Sequence, residues 1–219
     1  MAHLSFVFEN DLAKYRSMFE EYSSPPFKVQ KNKDLCKQCV TSGWMYYLLD
    51  GMVKVYISNY DGSERIIDFI KGNTLIGMDC VRPGSKSVVS ISCITDVHVL
   101  AFTTDILKKM LADNSEFAYD LVLYYGKVLR QVAYYSGILS ISDLTTRLAN
   151  FLFHFTDMPS YQQNNKITLT QAEMGAAINI SRAQVAKILK QFREEGCLIT
   201  GHRYITITDL EKLKKYCRF

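Results

Sequence analysis

No stretch of this sequence approaches the roughly 20 consecutive apolar residues that a membrane-spanning helix needs, so a transmembrane helix is excluded. The opening stretch MAHLSFVFENDLAKYRSMFEEYSS carries acidic residues early and lacks a long apolar centre. It does not read as a secretory signal, and a cytoplasmic protein without a membrane partner is expected. Three further absences bear on catalysis. There is no Ser/His/Asp order, no cluster with metal-ligand spacing and no glycine-rich phosphate loop. The chain is therefore not expected to be an enzyme, to use a catalytic residue or to hold a metal. No cysteine precedes Cys36, and the six present (Cys36, Cys39, Cys80, Cys93, Cys197 and Cys217) form no run. In a cytosolic chain they are expected as reduced thiols, most of them buried as small hydrophobes.

What is present is a globular composition. Hydrophobic residues make up 48% of 219 residues, enough for two small domains or one of medium size with a real core. The net charge of +4 is unevenly placed. Residues 160–219 hold ten Lys/Arg against five Asp/Glu, and the remainder holds sixteen against seventeen. The whole basic excess lies in the C-terminal quarter, which points to a polyanionic partner for that part alone.

The pattern along the chain changes four times. The first two dozen residues read as helical, ended by SSPP at 23–26. From Phe27 to Phe102 short runs rich in Val, Ile and Tyr alternate with turn signals, which predicts a sandwich or barrel. Asp61–Gly62 reads as a hairpin turn within it. TTDILKKMLADN (103–114) is helical, and a long helix is expected over 115–138 with Phe117, Leu121, Tyr124, Val128, Val132 and Tyr135 on one stripe. That stripe is expected to pack on the barrel on one side and on a second copy of the chain on the other, with Leu121, Tyr124, Val128, Val132 and Tyr135 at the dimer interface. SISD (140–143) interrupts the helix, Asp143 or Ser142 can cap the next one, and SYQQNNK reads as a loop.

The last segment holds two helices joined by a tight turn. Thr170 opens a capping box with Glu173, and its helix ends near Asn179. Ser181 then caps SRAQVAKILKQFREEG, which Gly196 stops. A two-stranded hairpin around Gly201–His202 and a terminal helix follow. This arrangement predicts a winged helix-turn-helix. With Val185, Ile188, Leu189 and Phe192 inward, the other side of the second helix carries Arg182, Ala183, Gln184, Lys187 and Lys190. Arg and Gln can contact bases bidentately, and small Ala183 suits a thymine methyl. Lys190, and Arg203 in the wing, are placed for phosphates. Thr170, Gln171 and Ser181 complete the expected contact set for double-stranded DNA.

Taken together, WMYYLLDGMVKVYISNYDGSERIIDFIKGNTLIGMD, DLTTRLANFLFHF and LTQAEMGAAINISRAQVAKILKQFREEGCL resemble, in that order, the cAMP receptor protein/FNR (Crp/Fnr) family of bacterial transcription regulators over nearly the whole chain. The resemblance implies an α+β fold in three parts. These are a cyclic-nucleotide-binding-like β-roll sensor at 1–112, a dimerisation helix at 113–139 and a winged helix-turn-helix DNA-binding domain at 140–219. It implies a homodimer on a palindromic operator, RNA polymerase as a further partner, and a small-molecule signal that re-aims the recognition helices across a hinge.

Departures from the family pattern narrow the signal. Cyclic-nucleotide members follow the cassette glycine with glutamate and place an Arg-Ser or Arg-Thr pair beyond. Here Gly77 precedes Met78 and Asp79, and the pair aligns with Ser87–Val88. Cyclic AMP is not expected. Cys36-x-x-Cys39 lacks the N-terminal cysteines of the iron–sulfur members, and neither His98 nor His154 lies in a cluster. GNTLIGMDCVRPG and QVAYYSGI instead resemble the halorespiration regulators of this family, which bind halogenated phenolic acids. Carried over by position, Leu75, Gly77, Arg82, Lys86, Ser87, Val88, Val128, Gln131 and Tyr135 would bind the effector between roll and long helix. An aromatic or other organic anion is the expected class, and no resident cofactor is assigned. Two alternatives stay open: a redox- or haem-sensing regulator of the same family, and a cyclic-nucleotide-type module without DNA function. Ala183 and Lys187 stand where the family has glutamate and arginine, so the half-site is expected to depart from the common one.

Overall fold

Short β-branched and aromatic runs between tight turns build two sheets on one core. The structure is a computed structural model that describes residues 7–156, 158–202 and 204–217, apart from the side chains at 138, 141 and 159. The strands are β1 (Val7–Phe8), β2 (Phe27–Val29), β3 (Asp34–Cys36), β4 (Met45–Asp50), β5 (Met52–Ser58), β6 (Glu64–Lys71), β7 (Thr74–Ile76), β8 (Ser90–Cys93) and β9 (Val97–Phe102). One sheet runs β1-β6-β5-β8-β3 and the other β2-β9-β4-β7. All pairs are antiparallel except β1 with β6. Asp61–Gly62 does form the β5–β6 turn. Asn59 N–H donates to the Ser63 carbonyl at 2.9 Å, and Gly62 sits at φ +80°, where a Cβ would be strained.

The N-terminal expectation needs correction. Val7 and Phe8 form a strand beside Phe69 and Ile70, and the helix α1 is only Arg16–Tyr22, after a 3-10 turn at Ala13–Tyr15. The ladder with distant β6 outweighs the local helical signal. Phe19 on α1 is fully buried and stacks on Tyr47 with ring centroids 4.3 Å apart.

Helix α2 (Thr104–Asp113) is capped by Thr103, and the 27-residue helix α3 (Ser115–Ile141) follows at once. The chain divides into two units, Val7–Val128 and a second from Leu129 onward, so α3 begins in the first and ends in the second. Phe117, Leu121 and Tyr124 belong to the core of the first unit, and Val128 packs against it. Leu121 and Tyr124, expected at a dimer interface, pack instead into this core. Both are buried in their own chain.

In the second unit, α4 (Leu144–Thr156) begins at Asp143, whose Oδ1 accepts the N–H groups of Thr145 and Thr146 at 2.9 Å each. Those bonds hold its carboxyl below the ordinary range. The SYQQNNK stretch, expected as a loop, contributes most of a short helix, α5 (Pro159–Asn164); proline in the first turn suits its fixed φ. Then come α6 (Gln171–Ile178), α7 (Arg182–Glu194), β10 (Leu198–Gly201), β11 (Tyr204–Ile207) and α8 (Leu210–Lys214). Gly175 lets α6 approach the turn that follows it. A Cβ there would come within 2.5 Å of the Ile180 carbonyl oxygen, whose own N–H donates to the Gly175 carbonyl at 3.0 Å. Among the described residues no helix is long and apolar enough to cross a membrane.

Candidate nucleic-acid interface and candidate ligand cavity

Helix α7 is held at its start by a reciprocal capping box. The Ser181 hydroxyl accepts the Gln184 N–H at 3.2 Å, and Gln184 Oε1 accepts the Ser181 N–H at 2.8 Å. Val185, Ile188, Leu189 and Phe192 are buried, which turns Arg182, Ala183, Gln184, Lys187 and Lys190 outward as expected. Their environments differ. Gln184 has its oxygen engaged in the cap. Lys190 lies 3.7 Å from Glu194. Among the described residues no ion pair engages Arg182 or Lys187. Thr170 is exposed and caps α6, donating its N–H and hydroxyl to Glu173 Oε2 at 2.7 and 2.8 Å, and Gln171 is half-buried. Arg203 lies outside the described residues. Part of the basic excess is paired locally, Lys214 with Glu211 at 2.6 Å and Lys212 with Asp209 at 3.7 Å. Among the described residues of α7, Arg182 and Lys187 in its first half and Arg193 in its last turn have no ion pair, and Arg193 reaches Thr200 at 3.3 Å.

The first unit contains a cavity of about 130 Å³ between the sheets and the middle of α3. Asp68 and Ile70 face it from β6 and Val55 from β5. The segment after β7 brings Gly77, Met78 and Asp79, and α3 brings Tyr124, Tyr125 and Val128. Of the residues expected at the pocket, Leu75, Gly77 and Val128 line it. Ser87 is buried and reaches the lining only through Asp79. Its hydroxyl donates to Asp79 Oδ2 at 2.6 Å, and the Val88 N–H donates to the same oxygen at 2.9 Å.

Arg82, Lys86 and Val88 are corrected by the structure: all three are exposed and none lines the cavity. They lie in the turn around Gly84, where solvating the charges costs least. Gln131 and Tyr135 belong to the second unit, where they are buried. Tyr135 there meets the edges of Tyr134 and His154, with centroids 5.4 and 6.3 Å apart. Among the described residues the lining holds no lysine, arginine or histidine, so the expected organic anion finds no cation there.

Among the lining residues missed from the sequence are Asp68, Asp79, Tyr125, Met78 and Phe8. Asp68 was legible in RIIDFIK, where Ile66, Asp68 and Ile70 alternate toward the inside of β6. Burial pushes its carboxyl up to about 7, and burial likewise raises the Tyr124 and Tyr125 phenols well above their ordinary value.

The sensor candidates named from the sequence are placed separately. Cys36 is buried on β3, and burial raises its thiol; Cys39 is exposed at φ +64°. His98 lies on the surface 2.9 Å from Asp50, and His154 is buried on α4. Among the described residues no three His, Cys, Asp or Glu side chains are grouped to hold a metal.

Comparison with known proteins matches both halves of this geometry. Residues 26–114 match the family described as cyclic nucleotide-binding domain, and residues 146–216 match the Crp-like helix-turn-helix domain. The chain is 25% identical over 179 residues to the CRP-like cAMP-activated global transcriptional regulator of Mycobacterium tuberculosis, covering 80% of each chain. Its fold is similar to that of FixK2 from Bradyrhizobium japonicum, with a TM-score of 0.77 and 18% identity over 89% of this chain and 97% of that one. It is also similar to CprK in complex with OCPA, with a TM-score of 0.75 and 16% identity over 98% and 99% of the two chains.

Proposed function

Because the chain belongs to the Crp/Fnr family of DNA-binding transcription regulators with an effector-binding domain, we propose that it binds a two-fold-symmetric promoter site as a homodimer, under the control of a small organic effector held in the cavity of its roll. The observation that carries the DNA reading is α7 itself. Its buried stripe is satisfied within the domain, while Arg182, Ala183 and Lys187 stand exposed on its first two turns, the part of a recognition helix that reaches base edges.

Of the residues expected at the dimer interface only Val132 is exposed, and the homodimer is proposed on the exposed side of α3 that it borders. Tyr119, Val122 and Leu129 are 64, 68 and 70% exposed, and with Gly126, Ala133 and Ser136 they recur at alternating spacings of three and four. That is the seam of a two-stranded coiled coil. A Cβ at Gly126 would meet nothing within 4 Å in this chain, so the packing of the chain on itself does not require glycine there. A second helix at close approach does give it a role.

Cyclic AMP is not carried over from the mycobacterial relative. Among the described residues no cation of the lining meets a phosphate, and Ser87–Val88 stands where the family resemblance puts the nucleotide clamp. Selection from random-sequence DNA tests the reading: an enriched two-fold motif, with affinity falling steeply as salt rises, is expected. Absence of any enriched palindrome, with and without added ligands, overturns it.

A further inference from the structure

Four strands and one helix line the cavity of the roll, and each brings an apolar side chain to it. β5, β6 and β8 of one sheet give Val55, Ile70 and Ile91, β7 of the other gives Leu75, and α3 gives Tyr124 and Val128. All but Val128 belong to the buried core of the unit, and Val128 packs against it. The walls are therefore fixed by the packing that folds the unit, and a guest would not have to order them on entry.

The charges around the cavity do not favour an ionised guest. Among the described residues no lysine, arginine or histidine lines it, so an anion would lose its hydration without meeting a cation. Neither acid is set aside for a cation. Asp79 is exposed to solvent, and its Oδ2 accepts from the Ser87 hydroxyl at 2.6 Å and the Val88 N–H at 2.9 Å. Asp68 has an interaction of its own within the chain, and burial pushes its carboxyl up to about 7, so it is neutral in mildly acidic solution. Size narrows the guest further. The cavity's volume of about 130 Å³ is well below the roughly 300 Å³ at which pockets for drug-sized ligands begin. It is close to the ~150 Å³ of an apolar cavity that holds benzene.

We infer that the cavity takes an uncharged, largely apolar molecule no bigger than one substituted ring, held by contact with Val55, Ile70, Leu75, Ile91 and Val128 rather than by an ion pair. The inference rests on the reading of this cavity as the effector site, and it names the ligand class of that site.

Three single-ring probes of different charge test it on the full-length protein at pH 6, where Asp68 holds its proton: benzyl alcohol, benzoate and benzylamine, titrated by calorimetry. Benzyl alcohol is expected to bind about tenfold or more tightly than either ion. A fourth probe, naphthylmethanol, keeps the hydroxyl and adds a ring. It should bind the wild type about tenfold more weakly than benzyl alcohol does, and Val128→Ala should narrow that gap. Val128→Trp, which fills the cavity, should abolish binding of benzyl alcohol. If benzoate or benzylamine binds as tightly as benzyl alcohol, and Val128→Trp blocks it, the cavity is a ligand site but the uncharged class falls. If naphthylmethanol binds the wild type as tightly, and Val128→Trp blocks it, the size limit falls. Benzyl alcohol binding that survives Val128→Trp lies elsewhere on the protein and overturns the inference. If none of the four binds the wild-type protein, the effector reading of the cavity falls and takes the ligand class with it. The comparison among probes on wild-type protein needs no variant to fold.

Discussion

Ser181 and Gln184 hold each other across the first turn of α7, with the hydroxyl taking one N–H at 3.2 Å and the amide oxygen taking the other at 2.8 Å. The box fixes the direction in which the chain enters the helix, and so the direction in which Arg182 and Ala183 leave it. Ser181→Ala should lower the stability of the second unit by about 1 kcal/mol. Thermal or urea unfolding checks this. An unchanged midpoint would mean that water satisfies the freed N–H groups equally well.

The same box changes what Gln184 can offer a base. Its oxygen is engaged, so only its amide N–H groups remain free, and adenine recognition through both ends of the amide would require opening the cap. In the proposed complex, base discrimination would then fall to Arg182, Ala183 and Lys187. Restoring glutamate with Ala183→Glu is expected to shift the selected half-site. An unchanged motif after selection would show that position 183 does not face bases.

Phosphate contacts should separate from base contacts by their salt dependence. Lys190→Ala should weaken binding to all sequences alike and reduce the slope of log affinity against log salt by about 1. Lys190 is exposed, and its approach to Glu194 at 3.7 Å leaves it able to turn toward a phosphate. A slope equal to that of the wild type in the variant would remove Lys190 from the contact set.

What the sequence made legible follows from the range of the forces involved. The caps at Thr170 and Ser181, the turn at Asp61–Gly62 and the buried stripe of α7 depend on neighbours within a few residues, and all four appear where the pattern puts them. β1 depends on a partner more than sixty residues away, and its local sequence reads as helix. Helix α3 is apolar on both sides, so periodicity alone does not say which side faces the roll. The roll takes Phe117, Leu121 and Tyr124, and the remaining stripe is left outside. Of the residues expected at the pocket by position in the chain, Leu75, Gly77 and Val128 line the cavity and the nearby basic residues do not. Arg82 and Lys86 sit in a solvent-facing turn, a matter of chain direction that composition does not encode.

The two sides of α3 give opposite expectations for mutation. Leu129→Glu places a charge in the exposed seam and should yield a folded monomer by analytical ultracentrifugation with greatly reduced DNA affinity. Leu121→Ala removes a side chain buried in the roll and should cost about 2–4 kcal/mol of stability while leaving the seam intact. A folded Leu129→Glu protein that sediments as a dimer would place the interface elsewhere.

Asp68 makes the stability of the roll depend on pH in the direction opposite to that of most carboxylates. Its carboxyl is raised from 3.8 in the unfolded chain to about 7 in the folded one, by burial. Between those values the native state holds a proton that the unfolded chain has already released, so stability falls as pH rises. The contribution is fully present below pH 4 and is gone above about pH 7, with a total change on the order of 4 kcal/mol. Tyr124 and Tyr125 are pushed upward and stay neutral through this window. Urea unfolding of Asp68→Asn against the wild type, at intervals from pH 4 to pH 8, isolates the effect. The stability difference should move in favour of the variant as pH rises and level off above pH 7. A difference that does not change with pH would mean that Asp68 is ionised in the folded protein throughout.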